Sequence, residues 1–256
     1  MDTYAEQGYL LLKGLYDQAE IEAMRNAVDA IIARADAAGR NGNHAWRGAE
    51  QDEKQAELVL KGFHDLPYND AAFARAATKP ELVATLVELI GPNVQLHHTK
   101  MLVKPPANGA PFPMHQDYPF FPHARHSVTA VSVHLDDANE ENGCLRVVPG
   151  THTLGPIDEV GDANELSPTE YPPDGGIAIP AEAGDALIFN YLTVHGSGVN
   201  RSERTRRNVL FQYRDPEDEP VRRGAVEEHV DWGAGFMVAG VNPVWFERRP
   251  RFTLQA

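Results

Sequence analysis

The chain has 256 residues, with 37 acidic and 23 basic side chains, a formal charge of −14 at pH 7 and 42% apolar positions. Those figures exclude a disordered or collagen-like chain and suit one globular domain over residues 1–256. The acidic balance argues against nucleic acid as a partner, because that affinity comes from Lys and Arg neutralising phosphates.

Residues 8–15 form a short apolar run between glycines and read as a strand. A helix is expected next, capped by Asp17 with Glu20 three residues on, with Ile21, Met24, Val28, Ile31 and Ile32 on one face. Residues 36–58 are polar, contain Gly39, Gly42 and Trp46, and read as a loop or lid. A second helix has Pro80 in its first turn, an apolar face of Leu82, Val83, Leu86, Leu89 and Ile90, and a stop at Gly91-Pro92.

Beyond Gly91 the periods shorten. Strands are expected at 94–104, 127–135, 144–148, 176–179, 186–195 and 208–214, with Pro and Gly clustered at 105–113 and 168–176. The predicted architecture is therefore mainly β, a sandwich or barrel with helices from the N-terminal side packed on it. Cys144 is the only cysteine, which excludes an intrachain disulfide framework and Cys-rich zinc modules and fits a reducing, cytoplasmic setting. Acidic Asp2 and Glu6 stand where a signal peptide carries basic residues, and no run of about 18 apolar residues exists to span a membrane.

His115-Gln116-Asp117 is the first chemical signal. In extended backbone, residues i and i+2 project to one side, so an imidazole and a carboxylate there can reach one metal ion. With 11 His and 17 Asp, chance supplies roughly one such triplet, and the chain holds a second at His229-Val230-Asp231. A facial triad needs a third ligand from another strand. His195, after the apolar run 186–194, supplies one for the first pair, whereas no histidine follows Asp231, so the second reads as surface. Arg206 stands eleven residues past His195, and a hairpin would return it beside the strand that carries His195. There its guanidinium can grip a carboxylate bidentately; otherwise Arg201, Arg204, Arg206 and Arg207 are a solvated turn.

These residues, with Gly8-Tyr-Leu-Leu-Leu, Lys104-Pro-Pro, Leu135-Asp-Asp, Glu141-Asn-Gly-Cys-Leu-Arg-Val-Val-Pro-Gly-Thr-His, Gly184-Asp and His195-Gly-Ser-Gly in that order, resemble the phytanoyl-CoA dioxygenase family of Fe(II)/2-oxoglutarate oxygenases. The resemblance implies a double-stranded β-helix, a cupin-like jelly roll flanked by helices. It makes His115, Asp117 and His195 iron ligands and Arg206, with Arg207 as the alternative, the partner of the distal 2-oxoglutarate carboxylate. Lys61 resembles a family lysine that contacts the cosubstrate, and Ser197 matches a family serine near it. Ser132 falls where some members carry a tryptophan, and His98 is either a cosubstrate contact or a buried structural histidine.

Two imidazoles and one carboxylate on one face of an octahedral ferrous ion leave three positions, two for a 2-oxo acid and one for dioxygen. The implied reaction hydroxylates a C–H bond of a small organic molecule and releases succinate and CO2. The same half-reaction can end in desaturation, epoxidation or cyclisation, and a β-helix that binds a ligand without turnover is the non-enzymatic alternative. Phe120, His123, Arg125 and His126 follow the metal pair directly and, with Trp46, are the candidate substrate contacts, against a reading in which they brace a loop or face solvent.

Overall fold

The structure, a computed structural model, describes residues 2–39, 61–107, 109–159, 165–221 and 236–244. Helix α1 (Asp2–Gln7) leads into strand β1 (Tyr9–Leu12), and α2 (Gln18–Ala37) begins where the capping signal places it. Asp17 is extended; its carboxylate accepts from the Glu20 amide at 2.9 Å, and the Glu20 side chain accepts from the Asp17 amide at 2.8 Å. Ile21, Met24, Val28 and Ile31 are buried on one face of α2, while Ile32 is only partly so. The expected loop at 36–58 lies mostly outside the described residues, although Asp36 and Ala37 still belong to α2. After β2 (Lys61–His64), Asp70 caps α3 (Ala71–Ala77) through the Ala72 amide. Helix α4 (Pro80–Ile90) then ends at Gly91, whose φ of 128° suits glycine.

The remaining strands are β3 (Val94–Lys104), β4 (Phe112–His115), β5 (Thr129–His134), β6 (Leu145–Val148), β7 (Ile177–Ala178), β8 (Ala186–Asn190), β9 (Val194–Ser197), β10 (Arg206–Arg214) and β11 (Phe236–Ala239). All pairings are antiparallel. The larger sheet runs β1-β8-β5-β10-β3-β11, with β2 also on β3, and the smaller runs β4-β9-β6-β7. Two such sheets with helices on one side form the double-stranded β-helix that the family resemblance implies.

Period-two alternation divides the larger sheet. Val131 and Val133 of β5, Ile188 of β8 and Val209, Phe211 and Tyr213 of β10 bury against Ile21, Met24, Phe73, Leu82 and Leu86 of the helices. On the opposite face Ala130, Leu187, Phe189 and Leu210 meet Val147 and Ile179. Lys100 and Lys104 of β3 and Arg206 and Asn208 of β10 line the space on that inner side.

Two sequence expectations are corrected. Residues 186–195 are not one strand: the Thr193 amide bonds Asn190 O at 2.8 Å and the Leu192 amide bonds Asn190 Oδ1 at 2.9 Å. This Asn-closed turn sends the chain from β8 in one sheet to β9 in the other. Nor does β10 return beside His195. It pairs with β3 and β5 in the larger sheet, and Arg206 therefore faces His195 across the space between sheets.

Asp17→Ala removes the reciprocal cap of α2, and chemical denaturation should show a loss of about 1 kcal/mol with an unchanged slope.

Candidate metal and cosubstrate site

The β4–β9 ladder sets His115 directly opposite His195, with ring centroids 4.3 Å apart. The two strands approach closely because Gly196 lies between them; a Cβ there would stand 2.7 Å from Met114 Sδ and 2.8 Å from Phe112 O. The chain then leaves β4. Asp117 is not extended, as the i and i+2 reading supposed, but lies at φ −76°, ψ −15° at the head of a short 3₁₀ turn. Gln116 anchors this corner, donating to Leu192 O at 2.6 Å and Gly155 O at 3.0 Å and accepting from the Ile157 amide at 2.9 Å. The Asp117 amide bonds Tyr191 O at 2.9 Å.

His115 Nε2 lies 3.6 Å and His195 Nε2 3.9 Å from Asp117 Oδ1, and one ligand atom from each residue falls within 4.8 Å of the others. All three residues are buried. His115 Nδ1 lies 2.8 Å from Pro113 O and His195 Nδ1 3.0 Å from Thr193 O. Because a carbonyl can only accept, both Nδ1 atoms carry a proton, and both Nε2 atoms are turned toward the carboxylate. Burial lowers the His195 pKa to about 4, with the charge of His115 adding to the effect. Burial alone would raise the Asp117 pKa, but a His115 hydrogen bond together with His195, Lys100 and His115 charges holds it well below the carboxylate range. Two buried imidazoles beside an ionised carboxylate supply the donor types that a divalent iron site needs.

A cavity of about 470 Å³ of empty space, including its mouth, opens from the triad along β3 and β10. Lys100, Leu102 and Lys104 line it from β3, Arg206, Asn208 and Leu210 from β10. At its far end Arg206, 2% exposed, donates to Gly143 O and, at 3.0 Å, to Asn208 Oδ1, while its Nε is buried without a partner. Lys104, 1% exposed, donates to Gly198 O and, at 2.8 Å, to Ser197 Oγ. Neither cation has a carboxylate within ion-pair distance among the described residues. Burial lowers the Arg206 pKa to about 10 and pushes Lys104 well below its ordinary value, with Arg206 nearby adding to the second shift. Such burial costs several kcal/mol per ion unless an anion repays it. The part of the cavity lined by Arg206 and Lys104 therefore fits one carboxylate of a dicarboxylic cosubstrate.

Lys104 and Asn208 were missed as site residues, although Lys104 heads the Lys-Pro-Pro motif. Ser197 and Ser132 line the same cavity; Ser197 accepts from Lys104, and Ser132 Oγ accepts from Asn208 Nδ2 at 2.9 Å. Arg207 points away from it and pairs with Asp136 at 2.9 Å and Asp29 at 3.1 Å, which leaves Arg206 as the cavity arginine. His98 Nε2 meets His64 Nδ1 at 2.8 Å and does not line the cavity. Phe120 presents its ring edge-on to His115, centroids 6.4 Å apart. His123 is fully buried, its Nδ1 2.8 Å from Phe121 O and its Nε2 3.3 Å from Arg214. Arg125 is half exposed beside Asp215, and His126 Nδ1 lies 2.7 Å from Tyr191 Oη. These four lie on the segment that follows Asp117 and are not among the residues lining this cavity. Lys61 pairs in β2 with Val103, but its side chain lies outside the described residues, as do Trp46, His229 and Asp231.

The family model for phytanoyl-CoA dioxygenase matches residues 4–208. Peroxisomal phytanoyl-CoA dioxygenase of Bos taurus is 28% identical over 235 residues, which cover 83% of this chain and 66% of that protein; the chain thus spans about two thirds of this relative's length. Ectoine dioxygenase of Halomonas elongata is 28% identical over 236 residues, covering 83% of this chain and 68% of that one. The epimerase SnoN, solved with Fe3+, alpha-ketoglutarate and nogalamycin RO, superposes with a TM-score of 0.69 at 24% identity, over 87% of this chain and 85% of that one. Among the described residues no helix is long and apolar enough to cross a membrane.

The same burial that shapes the site sets an acid limit on the fold. His134 is fully buried beside Arg206 with no hydrogen-bond partner for either ring nitrogen among the described residues, and burial lowers its pKa from 6.5 to about 3. Above pH 6.5 folded and unfolded forms are both neutral there. As pH falls below 6.5 only the unfolded chain takes up the proton, so stability should decline from there toward about pH 3. Denaturation midpoints measured across this range should fall, and His134→Gln should flatten the slope by roughly one proton.

Proposed function

Because the chain belongs to the phytanoyl-CoA dioxygenase family of iron- and 2-oxoglutarate-dependent enzymes, we propose that it hydroxylates a C–H bond of a small organic molecule. One 2-oxoglutarate and one dioxygen are consumed, succinate and CO2 are released, and one oxygen atom enters the substrate. The observation that carries the reading is the meeting, in one buried cavity, of a His-Asp-His donor set with two cations that have no carboxylate within ion-pair distance among the described residues.

His115, Asp117 and His195 would hold the ferrous ion through Nε2, Oδ1 and Nε2. Arg206 would grip the distal carboxylate of 2-oxoglutarate, with Lys104 and Ser197 beside it and Ser132 fixing the Asn208 amide. Iron and cosubstrate, when bound, supply the oxidant that removes hydrogen from the substrate. The protein's own share is geometric and electrostatic. The carbonyls of Pro113 and Thr193 fix the imidazole tautomers, and Phe112, Leu145, Phe189 and Leu210 keep the cavity wall apolar. Lys100 also lines the cavity near the triad, where its charge acts on Asp117 but no carboxylate lies within ion-pair distance among the described residues, which supports a substrate with an acidic group.

His115→Ala and Asp117→Ala should each abolish tight iron binding and succinate formation, measured under air with Fe(II), 2-oxoglutarate and a panel of small acids and their amides. Near-normal turnover in either variant would remove the assignment, and iron and cosubstrate binding with no turnover across the panel would favour a binding protein. In the product, a gain of one oxygen by mass spectrometry marks hydroxylation, whereas loss of two hydrogens marks desaturation or ring closure.

Arg206→Ala should weaken 2-oxoglutarate binding by about 1.5–3 kcal/mol, roughly 10- to 150-fold, read by equilibrium titration. Arg207→Ala should leave it unchanged.

A further inference from the structure

Asp117 has two carboxylate oxygens, and the structure treats them differently. Oδ1 faces the two imidazole Nε2 atoms at 3.6 and 3.9 Å, whereas Oδ2 accepts from Gln212 Nε2 at 2.8 Å. Gln212 belongs to β10, six residues beyond Arg206 on the same face, and is fully buried. Its cross-strand partner on β3 is His98. Only the amide nitrogen can donate to a carboxylate, so the amide orientation is fixed, and Oε1, which makes no hydrogen bond of good geometry among the described residues, is turned away from Asp117 with His98 as its side-chain neighbour. The bond of good geometry that the amide makes is the one to Asp117.

We propose that Gln212 is a positioning residue that keeps Asp117 monodentate. By occupying Oδ2 it offers the metal Oδ1 alone, so that the coordination positions needed by the 2-oxo acid and dioxygen stay open. Without the amide, Oδ2 is a buried anionic oxygen whose best remaining partner is the metal, and a chelating carboxylate takes up a position the cosubstrate requires. The inference rests on the triad reading of the preceding subsection.

The test loads wild type and Gln212→Met anaerobically with Fe(II), titrates metal binding, and then records the visible absorption band of the iron–2-oxoglutarate chelate at saturating cosubstrate. In wild type, metal should bind at one site and the band should appear. In Gln212→Met, metal affinity should stay within about tenfold while the band falls at least fivefold. Co(II)-loaded protein should show a matching change in its ligand-field spectrum, which a purely structural role would not produce. Should Gln212→Met fail to fold, Gln212→Asn keeps the amide but withdraws it by one methylene, and the band should fall in the same direction. A wild-type band in a folded variant that binds metal normally overturns the role of Gln212 alone. Failure of the wild-type protein to bind metal at this site overturns the triad reading and this inference together.

Discussion

The antiparallel pairing of β4 with β9 is the constraint on which the site depends. Its register puts the Cα of His115 opposite that of His195, and the absent side chain of Gly196 lets the two strands close to that distance. Backbone hydrogen bonds, whose geometry tolerates little slippage, thereby hold two metal-type donors. A slip of one residue would turn one imidazole to the opposite face of the smaller sheet. Asp117 is added by a change of backbone direction instead, with Gln116 as the anchor that makes the corner rigid. The carbonyls that orient the imidazoles come from the same two segments, so ligand position and ligand tautomer have one structural origin.

Charge placement follows from alternation along the larger sheet. Arg206, Asn208, Leu210 and Gln212 share the inner face of β10, while Arg207, Val209, Phe211 and Tyr213 face the helical layer. Neighbouring arginines thus meet opposite fates. Arg207 finds Asp136 and Asp29 at the helix side, and that pairing raises its pKa, Asp136 contributing most. Among the described residues Arg206 and Lys104 find only neutral acceptors, and burial pushes both toward their uncharged forms. A protein tolerates that arrangement where an anion arrives to complete it, which makes the unpaired end of the cavity as informative as the triad.

The fold was readable wherever a signal was local. The Asp17 and Glu20 cap, the proline that opens α4, the glycine that ends it and the full extent of β3 all depend on neighbours within a few residues. Reading failed where a distant contact decided. Short β4, inside a stretch rich in proline and glycine, is a strand because β9 pairs with it. The run 186–195 is mostly apolar, and the turn closed by Asn190, whose side chain takes the amide at 192, breaks it into strands of two sheets. Short α3, within a run of alanines, carried too weak a period to announce itself.

The sequence by itself determined the chemistry available: two histidines and an aspartate at family spacing, an arginine eleven residues past the second histidine, and enough apolar strand pattern to require a layered β core. Spacing is a property of the chain, and it survives without coordinates. Tertiary structure decided which partners each group meets. It separated Arg206 from Arg207, brought in Lys104 from β3, removed the aromatic and basic loop residues from the cavity wall, and gave Gln212 to the second oxygen of Asp117. Those outcomes depend on strand register and on which face of a sheet is covered by helices, and both are fixed by contacts between segments about a hundred residues apart.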